Sequence, residues 1–257
     1  MSATRIHSDR PTGIIVHGLH KTGTMFLYQL FRRLSRARRI ACYSGNHERP
    51  NDHLVTPDID HDFCLCPIRT FCDAPFPFTG NQQIKRIFHV RDPRDILVSQ
   101  YFSYGWRHSA EEFNPGRHRQ RESIQTMSID EYVLDESLAI HPMKLRLRDL
   151  IDRDDTELGR VIKYEEMVTD FPAWLAKVLP PFEFRFPGLV RRRFALRYRN
   201  EFRPDDDPRS HKRSVYPGDY LRRLQPATVQ RLNELLEFEL RVLNYDLEAM
   251  PTTSRAA

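Results

Sequence analysis

The sequence predicts an α/β protein: three layers, α/β/α, around a central, mainly parallel sheet, with a phosphate-binding strand-loop-helix near its start. Three observations carry this reading. Short β-branched or apolar runs alternate with stretches of helical spacing, which implies parallel βαβ units with right-handed crossovers. The first such unit has a Gly- and Lys-containing turn between strand and helix. No Gly/Ser linker, internal repeat or low-complexity run divides the 257 residues, so one domain over 1–257 is expected, with polar tails at 1–11 and 251–257.

Taken in order, Thr12 to His17 (TGIIVH) reads as a strand, and Thr24 to Leu34 carries helical spacing through Leu27, Leu30, Phe31 and Leu34. Further strands are expected at Ile40 to Tyr43, Phe63 to Ile68, Ile84 to Val90 and Arg160 to Tyr164. Helical patterns fall at Asp92 to Tyr104, Ile129 to Ala139, Glu166 to Leu179 and Pro226 to Leu243. Tyr104 to Met127 and Arg199 to Tyr216 are polar, basic and broken by proline, and read as long surface loops. In such a fold, ligands sit beyond the carboxyl ends of the strands.

Composition excludes several classes. Hydrophobic residues make up 40% of the chain against a net charge of only +5, too apolar for a disordered protein. No window approaches the roughly 18 uninterrupted apolar residues of a membrane span, and the polar start lacks a signal-peptide core. A cytoplasmic protein is expected. Cys42, Cys64, Cys66 and Cys72 are too few and too clustered for a disulfide scaffold and read as reduced thiols. His61 joins these cysteines as a candidate zinc set, but no Cys-x-x-Cys pair completes it, and no metal is expected.

Two segments carry chemistry. His17 to Phe26 (HGLHKTGTMF) places Lys21 and backbone N–H groups at the positive end of a helix, an arrangement that binds anions. A nucleoside triphosphatase loop has glycine immediately before its Lys-Ser/Thr pair; here His20 stands there and Gly23 follows the lysine. Ile87 to Tyr101 (IFHVRDPRDILVSQY) is an apolar strand ending in Arg91, then a helix with Asp92 as cap and Pro93 at its first position. Arg91 can fork onto a phosphate, and Ser99 can donate a hydroxyl. The purely structural alternative pairs Arg91 with Asp95 and leaves Ser99 on the helix surface.

Together these segments resemble the sulfotransferases that use 3′-phosphoadenosine 5′-phosphosulfate (PAPS). Lys21-Thr22-Gly23-Thr24 is similar to that family's first signature, and Arg91, Pro93, Arg94, Asp95, Ser99 and Tyr101 to its second. Val161 to Met167 (VIKYEEM), Lys212 to Tyr220 (KRSVYPGDY) and Leu243-Asn244-Tyr245 resemble later elements of the family in the same order. The resemblance covers about residues 12 to 246 and implies transfer of a sulfuryl group to a hydroxyl or amine, releasing 3′,5′-bisphosphoadenosine (PAP). It further implies that Lys21 contacts the bridging and 5′-phosphate oxygens while Thr22, Gly23 and Thr24 cradle the 5′-phosphate. Arg91, Ser99 and Arg213 would hold the 3′-phosphate, Ser99 would also act in catalysis by holding Lys21 away from the donor until an acceptor arrives, Phe26 would stack on adenine, and Tyr164 would bind the base's edge or face.

Two departures stand out. Ser214 and Val215 replace a basic residue and glycine in the late loop, and Phe71 occupies the position where many members have a catalytic histidine. Phenylalanine cannot accept a proton. Asp73, two residues on, is the substitute candidate, with His17, His20 and His89 as rivals that read as hydrogen-bonded histidines near the sheet edge. The expected acceptor is a small molecule or carbohydrate, set against Tyr104 to Met127 and Phe71 to Gly80, where Phe71, Phe76 and Phe78 lie. A magnesium-dependent P-loop kinase is one alternative, though its acidic strand end is missing at Val90-Arg91. A nucleic-acid-binding protein is the other, suggested by Arg32, Arg33, Arg36, Arg38, Arg39 and Arg191 to Arg193, runs that read as solvated faces without a recognition motif. The sequence leaves the oligomeric state open.

Overall fold

The computed structural model describes residues 11–18, 21–43, 61–68, 83–107, 115–137, 159–202 and 215–248. Among these residues, five strands form one sheet: β1 (Thr12–Gly18), β2 (Ala41–Tyr43), β3 (Phe63–Ile68), β4 (Gln83–Val90) and β5 (Gly159–Lys163). Their order is β2-β3-β1-β4-β5 and every neighbouring pair is parallel. β1 and β4 are paired in unbroken register from Thr12↔Gln83 to Gly18↔His89. Because the chain leaves β1 toward β2 and leaves β4 toward β5, these two strands flank the point where the winding reverses. Beyond their carboxyl ends lies the crevice such sheets use for ligands.

Strand alternation sorts the core into two faces. Ile14, Val16, Cys64, Cys66, Ile87 and Ile162 pack beneath α1 (Thr24–Arg38), α5 (Tyr164–Thr169), α6 (Phe171–Val178) and α7 (Pro187–Arg197). On the other face, Phe88 and Val90 pack against α2 (Pro93–Phe102), α3 (Pro115–Thr126), α4 (residues 129–137), α8 (Asp219–Arg223), α9 (Pro226–Leu235) and α10 (Glu237–Val242). Three layers result, as the sequence predicts.

Several elements differ from expectation. The stretch expected as a loop from Tyr104 to Met127 holds a π-helical turn, Ser103–Arg107, and α3. Pro115 supplies a good first helical residue, but the helix is polar nearly all round, so no apolar stripe announces it. α7 is absent from the sequence reading for the same reason: only Phe194 is buried along its length. The helix expected over Glu166 to Leu179 is two, because Asp170 ends α5 and caps α6 through the Ala173 amide at 3.0 Å, with Pro172 just inside. The last long helix also divides, at Leu236. Among the described residues no helix is long and apolar enough to cross a membrane.

Candidate active site

The turn after β1 is built for close backbone approach. Lys21 and Gly23 both adopt left-handed backbone, at φ 67° and 77°. Gly23 takes this conformation without a Cβ penalty; Lys21 takes it at a cost typical of ligand-binding turns. α1 then begins without a side-chain cap at Gly23 and without an acidic residue in its first turn. Its positive end is thus left without a neighbouring carboxylate of its own. Thr22 and Thr24 are buried, and Gly23 sits against Tyr164 and Met167: a Cβ there would lie 3.5 Å and 3.4 Å from their side chains.

The turn after β4 meets this loop. Arg91 is buried and donates from its guanidinium to the Lys21 carbonyl oxygen at 3.0 Å. The same guanidinium lies 4.4 Å from the centre of the Tyr164 ring and 3.8 Å from the Asp95 carboxylate. Burial works against the Arg91 charge, but Tyr164, Asp95, Glu165 and Asp219 together raise its pKa above the ordinary value. Its Nε is buried with no hydrogen-bond partner among the described residues, which leaves a donor facing this crevice. The pairing with Asp95 that a purely structural reading expects is therefore present, in the same geometry that aims the cation at the loop.

α2 starts as its sequence implies. Asp92 is the N-cap, accepting from the Arg94 amide at 2.9 Å, with Pro93 following. The Arg94 side chain forks back onto both Asp92 oxygens at 3.0 and 2.6 Å, reaches Asn233 at 2.6 Å and covers the Tyr220 ring. Arg91, Asp95 and Ser99 recur every fourth residue and so share one side of the α2 start, with Ser99 half-buried.

Two carboxylates bind the parts together, and neither is singled out as a site residue by sequence reasoning. Asp95, fully buried, accepts the Gly218 amide at 2.9 Å and the Tyr220 amide at 3.0 Å, fastening the late Gly-Asp-Tyr segment to α2. Burial raises its pKa, opposed by Arg91 and by these amides. Since each oxygen faces an N–H, the ionised form is the one the geometry satisfies. Glu165 accepts the Asp92 amide at 2.8 Å and the Tyr245 hydroxyl at 3.0 Å, and burial raises its pKa as well. Tyr164 closes the set by donating its hydroxyl to the Val215 carbonyl at 2.8 Å. The signal for both struts was their presence inside recognisable motifs; their partners lie too far along the chain to read.

The structure thus brings Lys21, Gly23, Arg91 and Tyr164 into one crevice. Phe26, half-buried on α1, stands edge-on to Phe171, Tyr198 and Phe202 at ring separations of 5.9, 5.2 and 4.9 Å. Asp73, Arg213, His20, Phe71, Phe76 and Phe78 lie outside the described residues. His17 and His89 are not at the sheet edge but on its central strands, both buried. Burial, aided by Arg86 for His17 and Arg91 for His89, lowers each pKa to about 3. The His89 ring packs edge-on to Trp174, and its two nitrogens have no hydrogen-bond partner among the described residues, where a hydrogen-bonded histidine is expected from the sequence. Among the described residues no cluster of three or more His, Cys, Asp or Glu could hold a metal ion.

No protein-family model and no curated protein matches the sequence. Solved structures do. Mouse sulfotransferase SULT7A1 complexed with PAP aligns at TM-score 0.63 and 18% identity, over 90% of this chain and 85% of that one. Retinol dehydratase in complex with androsterone and inactive cofactor PAP aligns at 0.59 and 13%, over 93% and 83% of the two chains. This chain has the sulfotransferase fold. A second retinol dehydratase structure, in a complex with retinol and PAP, agrees at TM-score 0.56 and 12% identity, over 93% of this chain and 84% of that one. At such identities the likeness defines the architecture alone, and in it Lys21 to Thr24 and Arg91 follow the carboxyl ends of β1 and β4.

Proposed function

We propose that the protein is a PAPS-dependent sulfotransferase, acting on a hydroxyl or amine of a small-molecule or carbohydrate acceptor in the cytoplasm. One observation carries the reading: a buried arginine whose Nε has no partner among the described residues is bonded to the backbone of the Lys21 turn, in a fold shared with PAP-bound sulfotransferases. The residues fit a doubly phosphorylated nucleotide. The left-handed turn at Lys21 to Thr24 and the uncapped start of α1 suit one phosphate; Arg91 and Ser99, with Arg213, suit the second. Phe26 and Tyr164 offer aromatic surfaces for adenine.

PAPS supplies an activated sulfuryl group whose transfer leaves negative charge on the bridging oxygen. Lys21 neutralises that charge as it develops, an electrostatic role like that of the lysine in phosphoryl transfer. Arg91 holds the nucleotide in register and Tyr164 shields the guanidinium from water, which strengthens its field. Asp73 takes the acceptor's proton; the depressed pKa values and burial of His17 and His89 disfavour either as base.

Calorimetry and thermal denaturation with PAP, compared with adenosine 5′-monophosphate, test the donor site. PAP at a hundred times its dissociation constant stabilises the fold by about 2.7 kcal/mol. Absence of any shift at millimolar PAP removes the proposal. A screen of acceptors with labelled PAPS then identifies the second substrate.

A further inference from the structure

At the far edge of the sheet, β2 sets Cys42 directly opposite Cys64 of β3 in parallel register. Neighbouring strands run about 4.8 Å apart. That lies inside the roughly 4.4–6.8 Å Cα separation that a disulfide spans. Register partners face the same side of a sheet, and here the two thiols are close enough for each to shift the other's ionisation. We propose that Cys42 and Cys64 are a dithiol that closes reversibly to a disulfide on reaction with a low-molecular-weight disulfide, making the β2–β3 edge a redox modification site.

The two sulfurs have different environments, and this assigns their roles. Cys42 is half-buried on an edge strand, open to a small oxidant. The Cys64 thiol, the Ser35 hydroxyl and the charge of Arg32 hold its pKa at about 7 against the opposing effect of burial. Cys64 is fully buried, and burial raises its pKa well above the ordinary thiol value. Cys42 is therefore the attacking thiolate and Cys64 the resolving thiol. Cys42 displaces one thiolate from the oxidant and forms a mixed disulfide. Cys64 then gives up its proton, attacks the Cys42 sulfur and expels the second thiolate. The protein loses two electrons and two protons; the oxidant gains them and leaves as two thiols. Cys66 lies two residues along the same face, also buried, one position beyond the described register partners of β2.

The test treats the full-length protein with oxidised glutathione, blocks remaining thiols by alkylation, and maps disulfide-linked peptides by mass spectrometry without reduction. A Cys42–Cys64 link that disappears on reduction is expected. Cys64→Ser should retain glutathione on Cys42, and Cys42→Ser should yield neither link nor adduct. Alkylation of Cys42 in the reduced protein should reach half its maximal rate near pH 7, matching a pKa of about 7. The proposal is overturned if Cys42 remains fully alkylatable after oxidation, if it links to Cys66 or Cys72, or if glutathione stays on Cys42 while Cys64 is present. Mapping the unsubstituted protein decides the matter even if a variant folds poorly, and no step depends on sulfotransferase activity.

Discussion

Replacing Asp95 by asparagine isolates the strut that unites the two halves of the crevice. The aspartate carboxylate serves the Gly218 and Tyr220 amides at 2.9 and 3.0 Å and faces the Arg91 guanidinium at 3.8 Å, with no exposure to solvent. Asparagine keeps the volume but has one carbonyl oxygen in place of two, so it can satisfy one amide and sets an N–H against the other. It also leaves Arg91 buried without its nearest counter-charge. Breaking a buried pair by removing one partner costs about 3–5 kcal/mol. For a domain of this size each kcal/mol moves the Tm by about 2–4 °C, so the variant should melt roughly 6–20 °C below the parent. Thermal unfolding followed by circular dichroism measures the difference, and urea titration at constant m confirms that it is one of stability. A variant within about 0.5 kcal/mol of the parent would refute the assignment of Asp95 as a structural anchor.

Three other outcomes test the site. Lys21→Ala should lower kcat by about 10²–10³ while leaving PAP affinity nearly intact; a change in KM alone would make the lysine a uniform binder. Arg91→Ala should erode the preference for PAP over adenosine 5′-monophosphate in calorimetry, and unchanged selectivity would remove Arg91 from the 3′-phosphate. Glu165 has a raised folded pKa, chiefly from burial, so between the unfolded value of about 4.3 and the folded one the native state holds the extra proton. Stability from this group is therefore greatest at low pH and is lost as pH rises through that window. Denaturation across pH 4 to 8 should show Glu165→Gln lacking this decline, whereas parallel curves would show that the Asp92 amide and Tyr245 hydroxyl compensate fully for burial.

What could be read from the sequence follows from what each segment buries. β1, β3 and the second half of β4 are mostly apolar and buried on both sides, and α1 shows a regular stripe because it covers the sheet with Leu27, Leu30, Phe31 and Leu34. α7 rests on the core through Phe194 and presents four arginines outward, so its periodicity is nearly blank. In the site, Lys21 and Arg91 stood out as cations at strand-to-helix turns, and Tyr164 through the resemblance of its segment to a sulfotransferase element. Asp95 and Glu165 did not, since their importance lies in partners up to 125 residues away. The contact between Arg91 and the Lys21 carbonyl was likewise invisible, because it joins a side chain to backbone in a left-handed turn.

The Tyr245 hydroxyl on Glu165 has a temporal corollary for a chain made from one end to the other. The sheet can be complete once β5 has emerged, yet Glu165 lacks a ligand for its second oxygen, and Asp95 lacks both amides, until the final helices arrive. A nascent or nicked polypeptide stopping short of that tyrosine would own all five described strands but an unfinished nucleotide cleft, so competence for the proposed chemistry comes last.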